Sequence, residues 1–267
     1  MSTPIITLTT DFGIRDPWVG IMKGVILGIC PAARLVDLSH DIGAQDVLEG
    51  ALCLEAAVSF FPTGTIHLGV VDPGVGGSRR PMALRSAGQC FVGPDNGLFS
   101  LAFERAGGRV EAVELTAAEY HLARVSRTFH GRDIFAPAAA HLASGVPLER
   151  LGRALTDPVR LVLPSSRRED GLVAGEVICA DRFGNLLTSV TEEDVTGLDG
   201  PLGLVVEMGG IRIGAPVAAY SDALPGGVGA VVGSTGRLEI FVREGSAQAA
   251  LALGRGAPVV VKRASGV

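Results

Sequence analysis

Thr65–Arg80 reads TIHLGVVDPGVGGSRR. An apolar run, Ile66 to Val71, contains no proline and stops abruptly at Asp72-Pro73-Gly74. A buried strand that ends in a glycine-rich loop has this pattern. Asp72 therefore stands at the strand's end, where open α/β sheets receive their ligands. Pro73 fixes one backbone angle, and Gly74, Gly76 and Gly77 allow the loop to fold close to a ligand. Arg79 and Arg80 follow within reach of a loop that turns back. A carboxylate and a guanidinium on one tight loop form either a structural ion pair or part of a site, and both readings stay open here.

Outward from this stretch, the flanking chain alternates strand and helix. Ile5–Thr10 reads as a strand ending at Asp11-Phe12-Gly13. Asp16 and Pro17 read as the N-cap and first residue of a helix with Val19, Met22, Ile26 and Ile29 on its apolar face. Arg34–Leu38 is a second strand, closing at Ser39-His40-Asp41. Asp46 caps a second helix, with Leu48, Leu52 and Val58 facing a core. Such alternation argues for a parallel sheet with right-handed crossovers. Asp11, Asp72, His40 and Asp41 then share one rim. Further on come a hairpin (Met82–Ser86 and Cys90–Val92), the turn Gly93–Gly97, a helix from Leu98, a strand over Val110–Leu115 and a helix over Ile134–Ala143.

Leu163–Gly171 (LPSSRREDG) marks a boundary, and beyond it short apolar runs alternate with glycine-rich turns. These include Leu172–Ala180, Leu186–Val190, Leu202–Glu207, Val228–Val232, Leu238–Val242 and Pro258–Lys262, a pattern that suggests a small β-barrel or sandwich. The expected organisation is an α/β N-terminal domain with a mostly parallel sheet over residues 1–163, a linker over 164–171, and a β-barrel C-terminal domain over 172–267.

Composition narrows the function. The chain has 267 residues, 47% hydrophobic and 19% charged, which argues against disorder. A net charge of −5 and the lack of a basic patch argue against a nucleic-acid partner. Cys30, Cys53, Cys90 and Cys179 are scattered without framework spacing and read as reduced, buried thiols. No leader pattern opens the chain and no apolar run is long enough to span a bilayer, so no membrane and a cytoplasmic location are expected.

Asp11-Phe12-Gly13 matches the kinase metal-binding triplet, but no glycine-rich phosphate loop or catalytic loop accompanies it. Neither a GxGxxG fingerprint nor a P-loop is present. His40, Asp41, Asp11 and Asp72 could ligate a metal, yet rim carboxylates serve equally as caps or hydroxyl binders; no metal and no cofactor are expected. His130 lies in the polar cluster HGRD at the start of a helix. Asp181–Asn185 (DRFGN) reads as a plain turn, or as a ring-stacking Phe beside an amide that can donate and accept at once. Ser234-Thr235-Gly236 is a further turn.

Together these segments resemble the S-adenosylmethionine hydroxide adenosyltransferases, relatives of the adenosylmethionine-dependent fluorinases and chlorinases. The match runs in order through TDFG (Thr10–Gly13), WVGIMKG (Trp18–Gly24), DPGVGGSRR (Asp72–Arg80), GPDNG (Gly93–Gly97), FHGRDIFAP (Phe129–Pro137), DRFGNLLT (Asp181–Thr188) and STGRLEI (Ser234–Ile240). The resemblance implies an α/β domain followed by a β-barrel, and a homotrimer with sites between the N-domain of one subunit and the C-domain of the next. It implies hydrolysis of S-adenosylmethionine (SAM) to adenosine and methionine, with Asp72, Arg79 and His130 as the catalytic set. Asp11 would bind the ribose diol, Phe183 and Asn185 the adenine, Asp181 the ammonium and Ser234 the carboxylate of the methionine part. Trp18, at a position often Tyr in the hydrolases, and Glu239 are further candidates for substrate contact. Halogenating relatives lack the catalytic trio and carry an extra loop after the DPGVG-equivalent segment. Here the trio is complete, the link Pro81–Val92 is short, and Gly131 replaces a halide-contacting Ser. These features favour the hydrolase over a halogenase or a non-catalytic adenosine or SAM binder.

Overall fold

The computed structural model describes residues 3–107, 109–169, 171–198 and 203–264, and the chain divides into two compact units, 1–161 and 162–267.

In the first unit the elements are β1 (Ile5–Thr10), α1 (Trp18–Ile29), β2 (Arg34–Ser39), α2 (Val47–Val58), β3 (Ile66–Val70), β4 (Pro81–Ser86), β5 (Gln89–Pro94), α3 (Ser100–Ala106), β6 (Glu111–Leu115), α4 (Ala136–Ala143) and β7 (Gly152–Leu155). They build a seven-stranded sheet in the order β2-β1-β3-β5-β4-β6-β7. β2, β1, β3 and β5 run parallel, and β4, β6 and β7 extend the sheet antiparallel. The sheet is therefore mixed, because the tight β4–β5 connection can join only antiparallel neighbours.

All five β3 residues are buried, as expected for a strand covered on both faces. Met22 and Ile26 of α1 and Ala136, Ala138, Ala139 and Ala140 of α4 share one core cluster with Ile6, Leu8, Ile66 and Leu68. Leu54 and Val58 of α2 and Ala102 and Phe103 of α3 belong to another, with Leu84 and Phe91. Helices thus cover both faces, and the chain reverses direction across the sheet between β1 and β3. That reversal opens a crevice at the carboxyl ends of the two strands.

Two helix starts differ in their capping. Asp46 caps α2, its Oδ1 accepting the Glu49 N–H at 2.9 Å. Asp16 does not cap α1. Pro17 occupies that position without a side-chain cap, and its carbonyl accepts the Ile21 N–H at 2.9 Å. Lacking an N–H of its own, Pro17 opens the helix without leaving an additional donor to satisfy.

The second unit contains β8 (Arg167–Glu169), β9 (Leu172–Ala180), β10 (Leu186–Thr191), α5 (Glu192–Thr196), β11 (Leu204–Met208), β12 (Ile211–Gly214), β13 (Val228–Val232), β14 (Arg237–Val242), α6 (Ala247–Leu251) and β15 (Pro258–Arg263). Its sheet runs β12-β11-β15-β9-β10-β14-β13, with β8 added on β9. The pairings are antiparallel. β12 and β13, at the two ends of the order, come together, so the sheet curls into a nearly closed, barrel-like form. Alternate residues point inward, among them Val173 and Val177, Leu238 and Ile240, and Val259 and Val261. The segment read as a linker contributes β8, three exposed residues paired with β9. Leu202, expected to start a strand, lies outside the described residues; β11 begins at Leu204.

Candidate active site

Asp11 directly follows β1, and Asp72 follows β3 by two residues; β1 and β3 are parallel with Thr10 opposite Val70. The two aspartates consequently stand on one rim. A cavity of about 570 Å³ opens there, bordered by Asp11, Phe12, Trp18, Asp72, Phe129 and His130 among others.

The glycine-rich loop folds back as its sequence suggests. Gly74 lies so close to Arg79 that a Cβ would stand 2.9 Å from Arg79 Cγ. Arg79 therefore reaches Asp72, with Nε donating to Oδ1 at 2.8 Å and Nη2 donating to Oδ2. Both side chains are nearly buried, at 10% and 5% exposure. Arg80 turns the other way. It donates to Asp95 at 2.8 Å and to Asp157, tying the Gly93–Gly97 turn to the end of the unit.

His130 arrives from a second loop. A five-residue π-helix, Gly131–Phe135, precedes α4 without a break, with His130 at its N-cap. Such wide turns re-aim side chains and are frequent at functional sites. Arg79 Nη2 lies 2.9 Å from His130 Nδ1. A guanidinium can only donate, so Nδ1 accepts and the imidazole is neutral with its proton on Nε2. The electrostatics agree. Burial, then the Arg79 charge, hold His130 below the ordinary histidine value, against the opposing pull of Asp72 and Asp133.

The two loops interlock at Gly76. Its φ is +73°, and a Cβ there would meet the Arg127 carbonyl oxygen at 2.1 Å. Asp133, fully buried, secures the second loop by accepting the Ser126 N–H at 2.7 Å and the Arg132 Nε–H at 2.6 Å. Aromatic rings form the wall. Phe129 meets Trp18 edge-on at 5.4 Å and Phe12 at 5.9 Å, and Arg132 stands over Phe129 at 5.2 Å.

Asp11 accepts the Gln45 backbone N–H at 2.8 Å. Gln45 has φ +65°, a conformation that costs a non-glycine residue about 1 kcal/mol or more and is concentrated at functional sites. Of the metal candidates, His40 has other partners: its Nδ1 lies 2.8 Å from Thr10 Oγ1 and its Nε2 lies 3.0 Å from Asp37. Among the described residues no three His, Cys, Asp or Glu side chains come together as a metal group, and no helix is long and apolar enough to cross a membrane.

The remaining candidates lie in the second unit. Asp181 folds its own loop, accepting the N–H groups of Phe183 (2.9 Å) and Asn185 (2.8 Å) and one Asn185 Nδ2–H (2.8 Å). One amide donor of Asn185 is thereby used locally, while Phe183 is left 76% exposed. Ser234 is exposed in the β13–β14 turn. Glu239 is buried at 6% and accepts from the Tyr220 hydroxyl at 2.7 Å. Burial, then the Asp181 charge, push the Glu239 carboxyl up, against the Tyr220 hydrogen bond. Tyr220 was not singled out by the sequence reading. It sits in GAPVAAYSDAL, which carries no spacing that marks a site. Phe129, Arg132 and Asp133 fell inside a recognised segment, but only the fold gives them contacts.

Residues 6–152 match the family model of the SAM hydroxide adenosyltransferase N-terminal domain, and residues 175–260 that of the C-terminal domain. The chain is 40% identical over 254 residues to an (R)-S-adenosyl-L-methionine hydrolase of Salinispora arenicola, covering 94% of this chain and 95% of that one. It is 33% identical over 219 residues to a fluorinase of an Actinoplanes species, covering 72% and 73%. The crystal structure of an uncharacterized conserved protein from Thermotoga maritima superposes with a TM-score of 0.89 at 35% identity, covering 97% of this chain and 100% of that one.

Proposed function

The chain belongs to the SAM hydroxide adenosyltransferase family, and from that premise we propose that it hydrolyses S-adenosyl-L-methionine to adenosine and L-methionine, using Asp72, Arg79 and His130. The observation that carries this reading is the hydrogen-bonded chain Asp72–Arg79–His130 at the edge of a nucleoside-sized cavity.

In this reading a water oxygen attacks ribose C5′ in line with the C5′–S bond. The bond's electrons pass to sulfur, which leaves as a neutral thioether and needs no acid. His130 donates its Nε2–H to one water lone pair and leaves the other free to attack. Asp72, whose two oxygens keep lone pairs beyond those Arg79 occupies, takes the water proton. A strong base is not required, because the oxygen becomes a protonated alcohol as the bond forms, far more acidic than any carboxylic acid. Arg79 holds the two partners in place, and orientation of this kind accounts for much of the acceleration in such reactions. Asp11 accepts the ribose hydroxyls, and Trp18 closes the cavity beside it.

For the second unit we propose that Phe183 and Asn185 hold adenine, Asp181 the ammonium and Ser234 the carboxylate. Glu239, kept in place by Tyr220, supports this set. In a homotrimer a neighbouring subunit supplies these residues; a light-scattering mass of three chains tests that arrangement. The proposed barrel closes β12 onto β13, and the protein works in the cytoplasm without metal or cofactor.

Incubation with SAM in halide-free buffer is expected to release adenosine and methionine in equal amounts. Appearance of 5′-halo-5′-deoxyadenosine as the main product on adding chloride or fluoride would assign a halogenase instead, and tight adenosine binding without turnover would assign a binder.

The neutral His130 required by this geometry sets the pH dependence. Protonating Nδ1 places a proton against the Arg79 guanidinium and breaks their hydrogen bond. Activity therefore belongs to the form present above the His130 pKa, which lies below the ordinary value of about 6.5. kcat/KM is expected to stay level as pH falls to about 6.5 and to decline only below it. An acid limb centred above that value, or one whose position is unchanged in His130→Asn, would remove His130 from this role.

A further inference from the structure

One cation on the cavity wall has no part in the chemistry above. Arg132 borders the cavity and lies over the Phe129 ring, 5.2 Å from its centre. The substrate of the proposed reaction brings a sulfonium to this cavity, and a bare guanidinium there would oppose it. The Asp133 carboxylate cancels that charge. It is fully buried and grips Arg132 as a fork, Nε to Oδ1 at 2.6 Å and Nη2 to Oδ2 at 3.1 Å. The fork also lays the guanidinium against Phe129, the ring that meets Trp18 and Phe12.

The other charges at this cavity can be assigned in the same way. Arg79 compensates Asp72, and His130 is neutral. Asp11 accepts a backbone N–H from Gln45 and has no cationic side chain paired with it among the described residues. Arg124 and Arg127, on the same loop as Arg132, are exposed, so water and salt screen them. The wall thus carries one uncompensated negative charge only while Asp133 neutralises Arg132. Aromatic faces add to the attraction for a cation.

We propose that Asp133 is a positioning residue that makes this cavity selective for a sulfonium over a neutral nucleoside, by holding Arg132 in a compensated pair against Phe129. The proposal rests on the hydrolase reading and adds to it a source of discrimination between the cationic substrate and the neutral product adenosine. Such discrimination would aid product release.

The test compares two ligands on one protein, the KM for SAM and the inhibition constant for adenosine. Asp133→Asn keeps the shape and an acceptor for the Ser126 N–H but loses the charge. Its KM for SAM is expected to rise about three- to tenfold at low salt, as for a partly exposed charge several ångströms away, with the adenosine constant nearly unchanged. High salt should shrink the difference. The double variant Asp133→Asn/Arg132→Gln, with both charges gone, should recover the wild-type ratio of the two constants. Equal weakening for both ligands, or a double variant that fails to recover the ratio, would show a scaffold role only and overturn the proposal. Should Asp133→Asn fail to fold, Arg132→Gln alone decides: it leaves an extra negative charge, so the ratio must move toward SAM, and movement the other way refutes the idea. A wild-type protein that does not turn over SAM defeats the hydrolase reading itself, whereas an active wild type whose ratio stays put in every variant defeats this inference alone.

Discussion

Asp72→Asn is expected to lower kcat about a thousandfold, within the range supplied by a residue that accepts a proton in the transition state. The substitution is isosteric, so the loss is chemical. An amide cannot take the water proton, and its NH₂ group faces a guanidinium that offers only donors. Arg79 then loses its counter-charge at 10% exposure, and the fork that aims it at His130 loosens. Breaking a buried ion pair by removing one partner costs about 3 kcal/mol or more, so thermal stability should fall as well. Single-turnover release of adenosine measures the chemical step, and circular dichroism confirms the fold. A folded Asp72→Asn variant with kcat within tenfold of wild type would exclude the carboxylate as proton acceptor.

Gly76→Ala is expected to cost both stability and turnover, although Gly76 touches no reacting atom. Two penalties combine. The position has φ +73°, which disfavours any L-side chain by about 1–2 kcal/mol. A Cβ there would also stand 2.1 Å from the Arg127 carbonyl, so one backbone must yield, at a further cost of about 1–3 kcal/mol. A Tm drop of about 5–10 °C follows. The loops that separate are those carrying Arg79 and His130, whose link is 2.9 Å long. A displacement near 1 Å in a site of this kind lowers kcat about a hundredfold. Gly64→Ala is the control. Its φ is +88° but its surroundings are open, so it should show the conformational penalty without loss of turnover. Equal activity in the two variants would mean that the loop contact does not position the site.

Much of the first unit was legible because its signals are local. An apolar β-branched run, a proline and clustered glycines specify a strand and a loop through backbone preferences that act within a few residues. β3 and its loop, the Asp46 cap and the strands β9, β10, β13, β14 and β15 of the second unit follow from such signals. Features that depend on distant partners were less accessible. β7, β8 and β12 are short strands stabilised by pairing rather than by pattern, and the π-helix at Gly131–Phe135 has no mark distinguishing it from an α-helical turn.

The candidate site divides along the same line. Asp11 and Asp72 could be placed on one rim from chain order alone, since parallel strands put their carboxyl ends together. Two adjacent arginines could not be told apart by pattern: Arg79 and Arg80 share one loop, and only the folded chain sends the first to His130 and the second to Asp95 and Asp157. The same holds for the His130 tautomer, the Arg132–Asp133 fork and the Tyr220–Glu239 bond. The amino-acid sequence by itself determined most of the strands, the turns and the residue types available for chemistry, because these depend on neighbours along the backbone. The tertiary structure alone decided which donor meets which acceptor, because Arg79 and His130 are 51 residues apart and their contact depends on how closely two loops can approach at a glycine.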